Sequence, residues 1–170
     1  MPSSEPFRFD HPDFFVAGAI GEPGNRVFYL QSGQDGEVVS LRCEKQHVAV
    51  LAQHLDELLS DLPPSVPDPF SRSLREPVET TWLLGSLAFG FDESSDRVVI
   101  IASELVVVDE GEEPREPAEG RLAITRGQAA SLIATTEELL AGGRPLCRIC
   151  GLPMDVDGHI CPRSNGHHKG

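Results

Sequence analysis

Residues 26–32 read Arg26-Val27-Phe28-Tyr29-Leu30-Gln31-Ser32, and residues 97–103 read Arg97-Val98-Val99-Ile100-Ile101-Ala102-Ser103. Both runs are rich in residues that favour β-strands, and both begin with arginine and end with serine. Each is followed by another β-rich run and then by a helical pattern. The same order of patterns occurring twice indicates an internal repeat. The sequence therefore predicts an α+β fold in which duplicated β-β-β-α units pack together.

The remaining segments of the two units are placed by their periodicity. The first unit comprises strands at Phe14–Ile20, Arg26–Ser32 and Glu37–Cys43 and a helix at about 45–60. The second comprises strands at Thr81–Phe91, Arg97–Val108 and Arg121–Thr125 and a helix at about 127–141. Apolar residues recur at helical spacing in both helices, and Leu51 of the first matches Leu132 of the second. The continuously apolar run Val98–Ile101 predicts a strand that is buried on both faces.

The domain organisation follows from composition. Residues 1–143 are expected to form the duplicated body, with repeat one at about 10–60, a proline-rich linker at 61–79 and repeat two at about 80–143. Residues 109–119 carry six acidic residues and two prolines, which predicts a mobile, solvated loop; the alternative is a docking surface for a basic partner. Residues 144–170 form a separate C-terminal tail.

The charge is distributed unevenly along the chain. The net charge is −13, although the tail carries Arg144, Arg148, Arg163 and Lys169 against only two aspartates. The acidic body disfavours nucleic-acid binding, because it repels phosphates. No apolar run reaches the length of a membrane span, and the first residues lack the pattern of a signal peptide. These features predict a cytoplasmic protein.

The tail holds a pattern typical of a zinc site. Cys147 and Cys150 form a C-x-x-C pair followed by glycine, and His159 and Cys161 lie two residues apart beyond the Gly158 turn. Thiolates and imidazoles in a closed tetrahedral shell are the ligands that structural zinc prefers. The tail is therefore predicted to form a zinc knuckle with Cys147, Cys150, His159 and Cys161 as ligands. His167 is the alternative fourth ligand in place of His159.

Other interpretations of these cysteines are weaker. A stable disulfide is disfavoured without a secretory signal. A redox C-x-x-C normally opens a helix, whereas Gly151 and Pro153 follow this pair. Four protein ligands leave no open position on the metal, so the site is expected to be structural rather than catalytic.

Candidates for catalysis outside the tail are few. The sequence contains no P-loop, G-x-S-x-G or G-x-G-x-x-G pattern. Cys43 is a possible nucleophile beside His47 and His54, but a cysteine at a strand-to-helix junction is more often a small buried apolar residue. Trp82 is expected to anchor the core of the second unit.

Several motifs together resemble one family of high-GC Gram-positive bacteria, catalogued as domain of unknown function 3090. They are Phe9-Asp10-His11-Pro12-Asp13-Phe14-Phe15-Val16-Ala17-Gly18, Phe28-Tyr29-Leu30-Gln31, Glu44-Lys45-Gln46 and the Cys-x-x-Cys-Gly-x-Pro…Gly-His-x-Cys-Pro-Arg-x-Asn-Gly tail. The resemblance implies a cytoplasmic actinobacterial protein and no particular activity. Arg163 and Asn165 belong to the tail motif and either brace the knuckle against the body or contact a ligand.

Three classes of function follow from these patterns. The favoured one is a non-catalytic, zinc-containing module that binds a protein partner or regulates one. The alternative is an enzyme or small-molecule-binding protein that uses the groove between the two repeats, lined by Cys43, His47, His54 or the Arg163–Asn165 segment. The third is weak nucleic-acid binding through the basic tail. A flat apolar patch rimmed by charge favours the first class, and a convergent pocket favours the second.

Overall fold

A computed structural model describes residues 4–22 and 24–142 of the chain. Within this part of the chain there are seven strands and two helices. In chain order they are β1 (Phe7–Phe9), β2 (Phe14–Ile20), β3 (Val27–Gln34), β4 (Glu37–Cys43), α1 (Lys45–Ser60), β5 (Trp82–Asp92), β6 (Arg97–Glu104), β7 (Glu119–Thr125) and α2 (Arg126–Gly142). The predicted α+β class is confirmed, and the order strand-strand-strand-helix occurs twice, at β2–α1 and at β5–α2.

All seven strands belong to one sheet, whose order is β1-β7-β6-β5-β4-β3-β2. The sheet contains two antiparallel meanders, β2-β3-β4 and β5-β6-β7. They meet where β4 pairs in parallel with the start of β5, at Leu41–Trp82 and Arg42–Leu83. At the far side, β1 pairs in parallel with β7.

The sheet has to curl strongly, because its two outermost strands are consecutive in the chain. Seven strands spaced about 4.8 Å apart would place β1 and β2 about 29 Å apart if the sheet were flat. The link from Phe9 to Phe14 can span at most about 19 Å, since it contains only about five peptide units. The sheet therefore forms a barrel-like shell, and α2 closes it by packing against β2 as well as against α1.

The inner face of this shell and one face of each helix make up a single hydrophobic core. Val48, Leu51 and Leu55 of α1 are fully buried, as are Ala129 and Leu132 of α2. Trp82 is 3% exposed, which confirms its predicted place in the core, and its ring lies 5.7 Å from that of Phe7. A cavity inside the shell has room for about 10 Å³ only, so the interior is packed rather than hollow.

The two meanders can be compared position by position. Ala17, Leu30 and Leu41 lie in one row across the first meander, and Phe89, Ile100 and Leu122 lie in one row across the second. Leu41 and Leu122 each precede the following helix by the same number of residues. Because Leu30 and Ile100 therefore correspond, the residues two positions before them, Phe28 and Val98, correspond as well. The sequence match of 26–32 to 97–103 is therefore one residue out of register, because it sets inward-facing Phe28 against outward-facing Val99.

Several boundaries differ from those predicted. The sequence does not predict β1, since three residues carry little periodicity. β6 ends at Glu104 rather than at Val108, because Leu105 turns away and donates its backbone N–H to Leu83 of β5. Val98 and Ile100 are buried, but Val99 and Ile101 on the outer face are only half-buried. Burial of this strand on both faces is thus not seen among the described residues.

Candidate interaction surface

The predicted zinc ligands Cys147, Cys150, His159 and Cys161, and the alternative His167, lie outside the described residues. Arg163 and Asn165 lie there too. Among the residues that the structure does describe, no group of three or more His, Cys, Asp or Glu is placed to hold a metal ion. The same part of the chain contains no helix long and apolar enough to cross a membrane.

Cys43 faces the core rather than a cleft. Its side chain is buried, and burial together with the neighbouring Glu44 carboxylate raises the pKa of the thiol to about 12. A thiol with so high a pKa forms almost no thiolate at neutral pH and is a poor nucleophile. Cys43 is therefore a small apolar core residue.

His47 and His54 both lie on α1. His47 Nδ1 accepts the backbone N–H of Glu44 at 3.0 Å and so caps the helix. The His54 ring stacks on Phe89 of β5, with 5.0 Å between the ring centroids. Both histidines border a groove of about 420 Å³ between α1 and β5, which we call the α1–β5 groove. The structure brings the two histidines to one groove but leaves Cys43 out of it.

The outer face of the first meander is covered by the segment that follows α1. Gln31 is 1% exposed, and its side-chain amide bonds both the N–H and the C=O of Arg75. The Arg75 guanidinium lies 3.7 Å from the centroid of the Phe14 ring. A Cβ placed on Gly18 would overlap Leu74. The proline-rich segment 61–81 is thus fastened to this face, although it contains no helix or strand.

The outer face of the second meander has no such cover within the described residues. Ser86, Ala88 and Gly90 of β5 are exposed, and a Cβ placed on Gly90, the counterpart of Gly18, would meet nothing within 4 Å. Val99 and Ile101 of β6 lie half-buried on the same side. Within the part of the chain that the structure describes, the β5 and β6 part of this face consists of small and apolar residues and is uncovered; we call it the open outer face.

A loop borders the open face. Glu104 donates its backbone N–H to the carbonyl of Ala118, and residues 105–117 lie between them; we call these residues the β6–β7 loop. At the corresponding place the first meander needs only the turn Asp35-Gly36, whose φ angles are 52° and 88°. Large apolar side chains are exposed here, with fractions of 50% at Leu105, 70% at Val107, 42% at Val108 and 39% at neighbouring Leu83. Five carboxylates follow them, at Asp109, Glu110, Glu112, Glu113 and Glu116.

The base of the β6–β7 loop is held by an ion pair with a buried carboxylate. Both oxygens of Glu104 accept from the Arg115 guanidinium, at 2.7 and 2.8 Å, and one also accepts the backbone N–H of Ala118. The hydrogen bonds from Arg115, then those from the Ser4 hydroxyl and the Ala118 N–H, lower the pKa of Glu104 to about 2. Because Ala118 is buried as well, the prediction of a wholly solvated loop at 109–119 is wrong at its C-terminal end.

Sequence reasoning missed Arg115 and Ser71. Arg115 is the one cation in a run of carboxylates, which is a usable signal for an internal ion pair. Ser71 is fully buried, but nothing in a Pro/Ser-rich stretch distinguishes a buried serine from an exposed one.

Comparison with known proteins gives a family and no relative of known activity. No curated protein and no solved structure matches the chain. The family model described as "Protein of unknown function (DUF3090)" matches residues 7–161, which include every described strand, both helices and most of the tail. Since this match covers most of the sequence, the chain belongs to that family.

Proposed function

We propose that this protein is a non-catalytic, zinc-containing interaction or regulatory module. Its docking surface consists of the β6–β7 loop, Leu83 and the open outer face of the second meander. The partner is a cytoplasmic protein that offers an apolar centre with basic groups around it. The zinc ion, held by Cys147, Cys150, His159 and Cys161, is structural in this proposal.

One observation carries the proposal. The fold joins β3 to β4 with the two residues Asp35 and Gly36, yet it uses residues 105–117 at the corresponding place between β6 and β7. The longer loop exposes three large apolar residues, which is unfavourable unless another surface covers them. The Glu104–Arg115 pair holds the base of the loop in place. A loop that the fold does not need, but that is held in one position, is typical of a recognition element.

The chemistry of the surface defines the partner. Leu83, Leu105, Val107 and Val108 supply apolar area, and the five loop carboxylates lie beside them. In protein interfaces an apolar centre provides most of the affinity, while charges at the rim steer association. The partner should therefore carry lysine or arginine around an apolar patch, and binding should weaken with salt.

The same proposal includes an origin by duplication. The row-by-row correspondence of the two meanders, the paired glycines 18 and 90, and the buried Leu51 and Leu132 support it. In this interpretation the first unit keeps the short turn, and the second has gained the loop.

Capture of partners from the native cytoplasm tests the docking surface. The full chain is compared with Val107→Asp and with Val66→Asp, a matched control because Val66 is 84% exposed in the linker. We expect the wild type and Val66→Asp to capture a protein that Val107→Asp does not capture. We also expect this captured protein to dissociate as the salt concentration is raised. Equal capture by all three proteins would contradict the proposal.

The α1–β5 groove supports a second candidate, a small-molecule-binding protein or enzyme. His54 stacked on Phe89 offers a flat surface for a planar ligand, and His47 and Glu44 add polar groups. Cys43 takes no part, since it is buried in the core. A ligand that shifts the NMR signals of His54 without those of Val107 would favour this candidate.

Weak nucleic-acid binding through the basic tail remains a third prediction. The residues that would contact phosphates are Arg144, Arg148, Arg163 and Lys169. Binding to a labelled oligonucleotide should then fall steeply as salt is raised.

A further inference from the structure

The α1–β5 groove is the counterpart of a space that is filled in the other half of the molecule. The groove lies between His47, Val50 and His54 of α1 and Leu87 and Phe89 of β5. The corresponding residues in the other half are Gln128, Ser131 and Thr135 of α2, and Phe15 and Ala17 of β2.

Between α2 and β2, the space is occupied by other parts of the chain. Ser71 is 0% exposed; its hydroxyl accepts the backbone N–H of Phe15 at 3.0 Å, and its carbonyl accepts the Ser131 hydroxyl at 2.8 Å. Gln128 Nε2 donates to the carbonyl of Pro12 at 2.7 Å. The segment that follows α1 thus bridges β2 to α2.

The edge of β5 offers the same backbone groups as the edge of β2. The Glu104 N–H bonds the carbonyl of Ala118, so even-numbered residues of β6 direct their backbone groups toward β7. Leu87 and Phe89 lie opposite even-numbered residues of β6. The backbone N–H and C=O groups of Leu87 and Phe89 therefore point away from β6. In the same way, the backbone N–H of Phe15 points away from β3 and bonds Ser71. No described strand pairs with Leu87 and Phe89 on that side.

The path of the first segment suggests what fills the second space. After α1 ends at Ser60, the chain reaches the start of α2, where Asp68 donates its backbone N–H to Gly127, and then enters the α2–β2 space at Ser71. A segment on the corresponding path would leave α2, reach the start of α1 and enter the α1–β5 groove. The residues in that position of the sequence are 143–170, which outnumber the residues between Ser60 and Ser71.

We propose that the C-terminal segment 143–170 folds back on its own chain and occupies the α1–β5 groove. Its charge fits, because the segment is net positive, the rest of the chain is acidic, and Glu44 lies at the groove. The family match extends to residue 161, so the family includes most of this segment together with the body.

The apolar residues of the segment match the apolar lining of the groove. Val50, Leu87 and Phe89 line the groove, and covering them removes apolar surface from water. The segment can supply this cover through Ile149, Leu152, Met154, Val156 and Ile160. This proposal is independent of the identity of the partner at the β6–β7 loop.

Photo-cross-linking of the full chain tests the proposal. Val50, which is 38% exposed in the groove, is replaced by p-benzoylphenylalanine; the control is the same replacement of Val38, which is 45% exposed near the β3–β4 turn. We expect position 50, and not position 38, to form cross-links within one chain to peptides from 143–170.

Two results would overturn the proposal. Cross-links from position 50 to a second chain would assign the groove to another copy. Absence of any link to 143–170 would leave the groove for a small ligand or for solvent. If the replacement of Val50 prevents folding, backbone hydrogen exchange of the wild-type protein at Leu87 and Phe89 is followed as the protein is diluted. Exchange that stays slow at every concentration supports a segment of the same chain, slow exchange that is lost on dilution assigns the groove to a second copy, and exchange at the rate of exposed loop amides overturns the proposal.

Discussion

The outer faces of the two meanders differ in how they are covered within the described residues. On β2–β4, residues 61–81 cover the face through Leu74, Arg75 and buried Gln31, and a side chain at Gly18 has no room. On β5–β7, Gly90 faces open space within the described structure, and the β6–β7 loop replaces a two-residue turn. The strands and the inner core correspond, so the fold does not require the difference. We infer that function has shaped the second face.

The largest expected effects lie in the shared core and should not distinguish the two halves. Leu51→Ala in α1 and Leu132→Ala in α2 each remove a side chain that is 0% exposed. Each should lower the free energy of unfolding by about 2–5 kcal/mol, the usual cost of a large-to-small change in a core. Chemical denaturation measures both. A near-zero effect for one of the pair would break the correspondence between the helices.

The ion pair at the base of the β6–β7 loop should have the next largest effect. The counterpart of Glu104 in the first meander is the neutral Gln34, so Glu104→Gln places the same residue at this position in both meanders. We expect it to lower the free energy of unfolding by about 1–2 kcal/mol, because Arg115 loses its charged partner while its own exposure to water limits the loss. Chemical denaturation at neutral pH measures this change, and no change would contradict the role of the pair.

The pH dependence of this pair has a definite sign. The folded-state pKa of Glu104 is about 2, below its ordinary value of 4.5, so the pair stabilises the fold above pH 4.5. That stabilisation is lost as the pH falls from 4.5 towards 2. The stability of Glu104→Gln should therefore depend less steeply on pH over this range than that of the wild type. Equal slopes would contradict the role given to Glu104.

Alanine substitutions at Gly18 and Gly90 compare the outer faces of the two meanders directly. Gly18→Ala should cost about 1–2 kcal/mol, because its methyl group overlaps Leu74. Gly90→Ala should change stability by less than about 1 kcal/mol, in either direction. Thermal unfolding of the full chain measures both. An equal loss at Gly90 would show that another part of the chain covers the second face.

The smallest effect on stability is expected from removal of the loop. In the Glu104→Gln background, residues 105–117 are replaced by Asn-Gly, which imitates the Asp35-Gly36 turn. Relative to that background, the free energy of unfolding should change by less than about 1 kcal/mol, since the loop buries little of the core, while partner capture is lost. A large loss of stability would show that the loop is part of the fold rather than a recognition element.

The sequence predicts much of the fold because the amphipathic pattern of the core is local. Phe14–Ile20, Glu37–Cys43 and the α1 helix begin and end where periodicity places them. The closure of the sheet is not predictable in this way, since it depends on β1, three residues long, pairing with β7 far away in the chain.

The candidate site is less predictable for the same reason. The groove histidines are visible in the sequence, but Ser71 and Arg115 acquire their roles only through contacts with other segments, such as Phe15 for Ser71. The zinc ligands Cys147, Cys150, His159 and Cys161 remain predictions from spacing alone.

Backbone hydrogen exchange in the full chain tests most directly the central claim that the α1–β5 groove is filled, as the α2–β2 space is, although the two outer faces differ. Phe15 serves as the internal reference, because its N–H is bonded to Ser71. We predict that the amides of Leu87 and Phe89 exchange as slowly as that of Phe15. Exchange at the rate of exposed loop amides, with Phe15 still protected, would contradict the account.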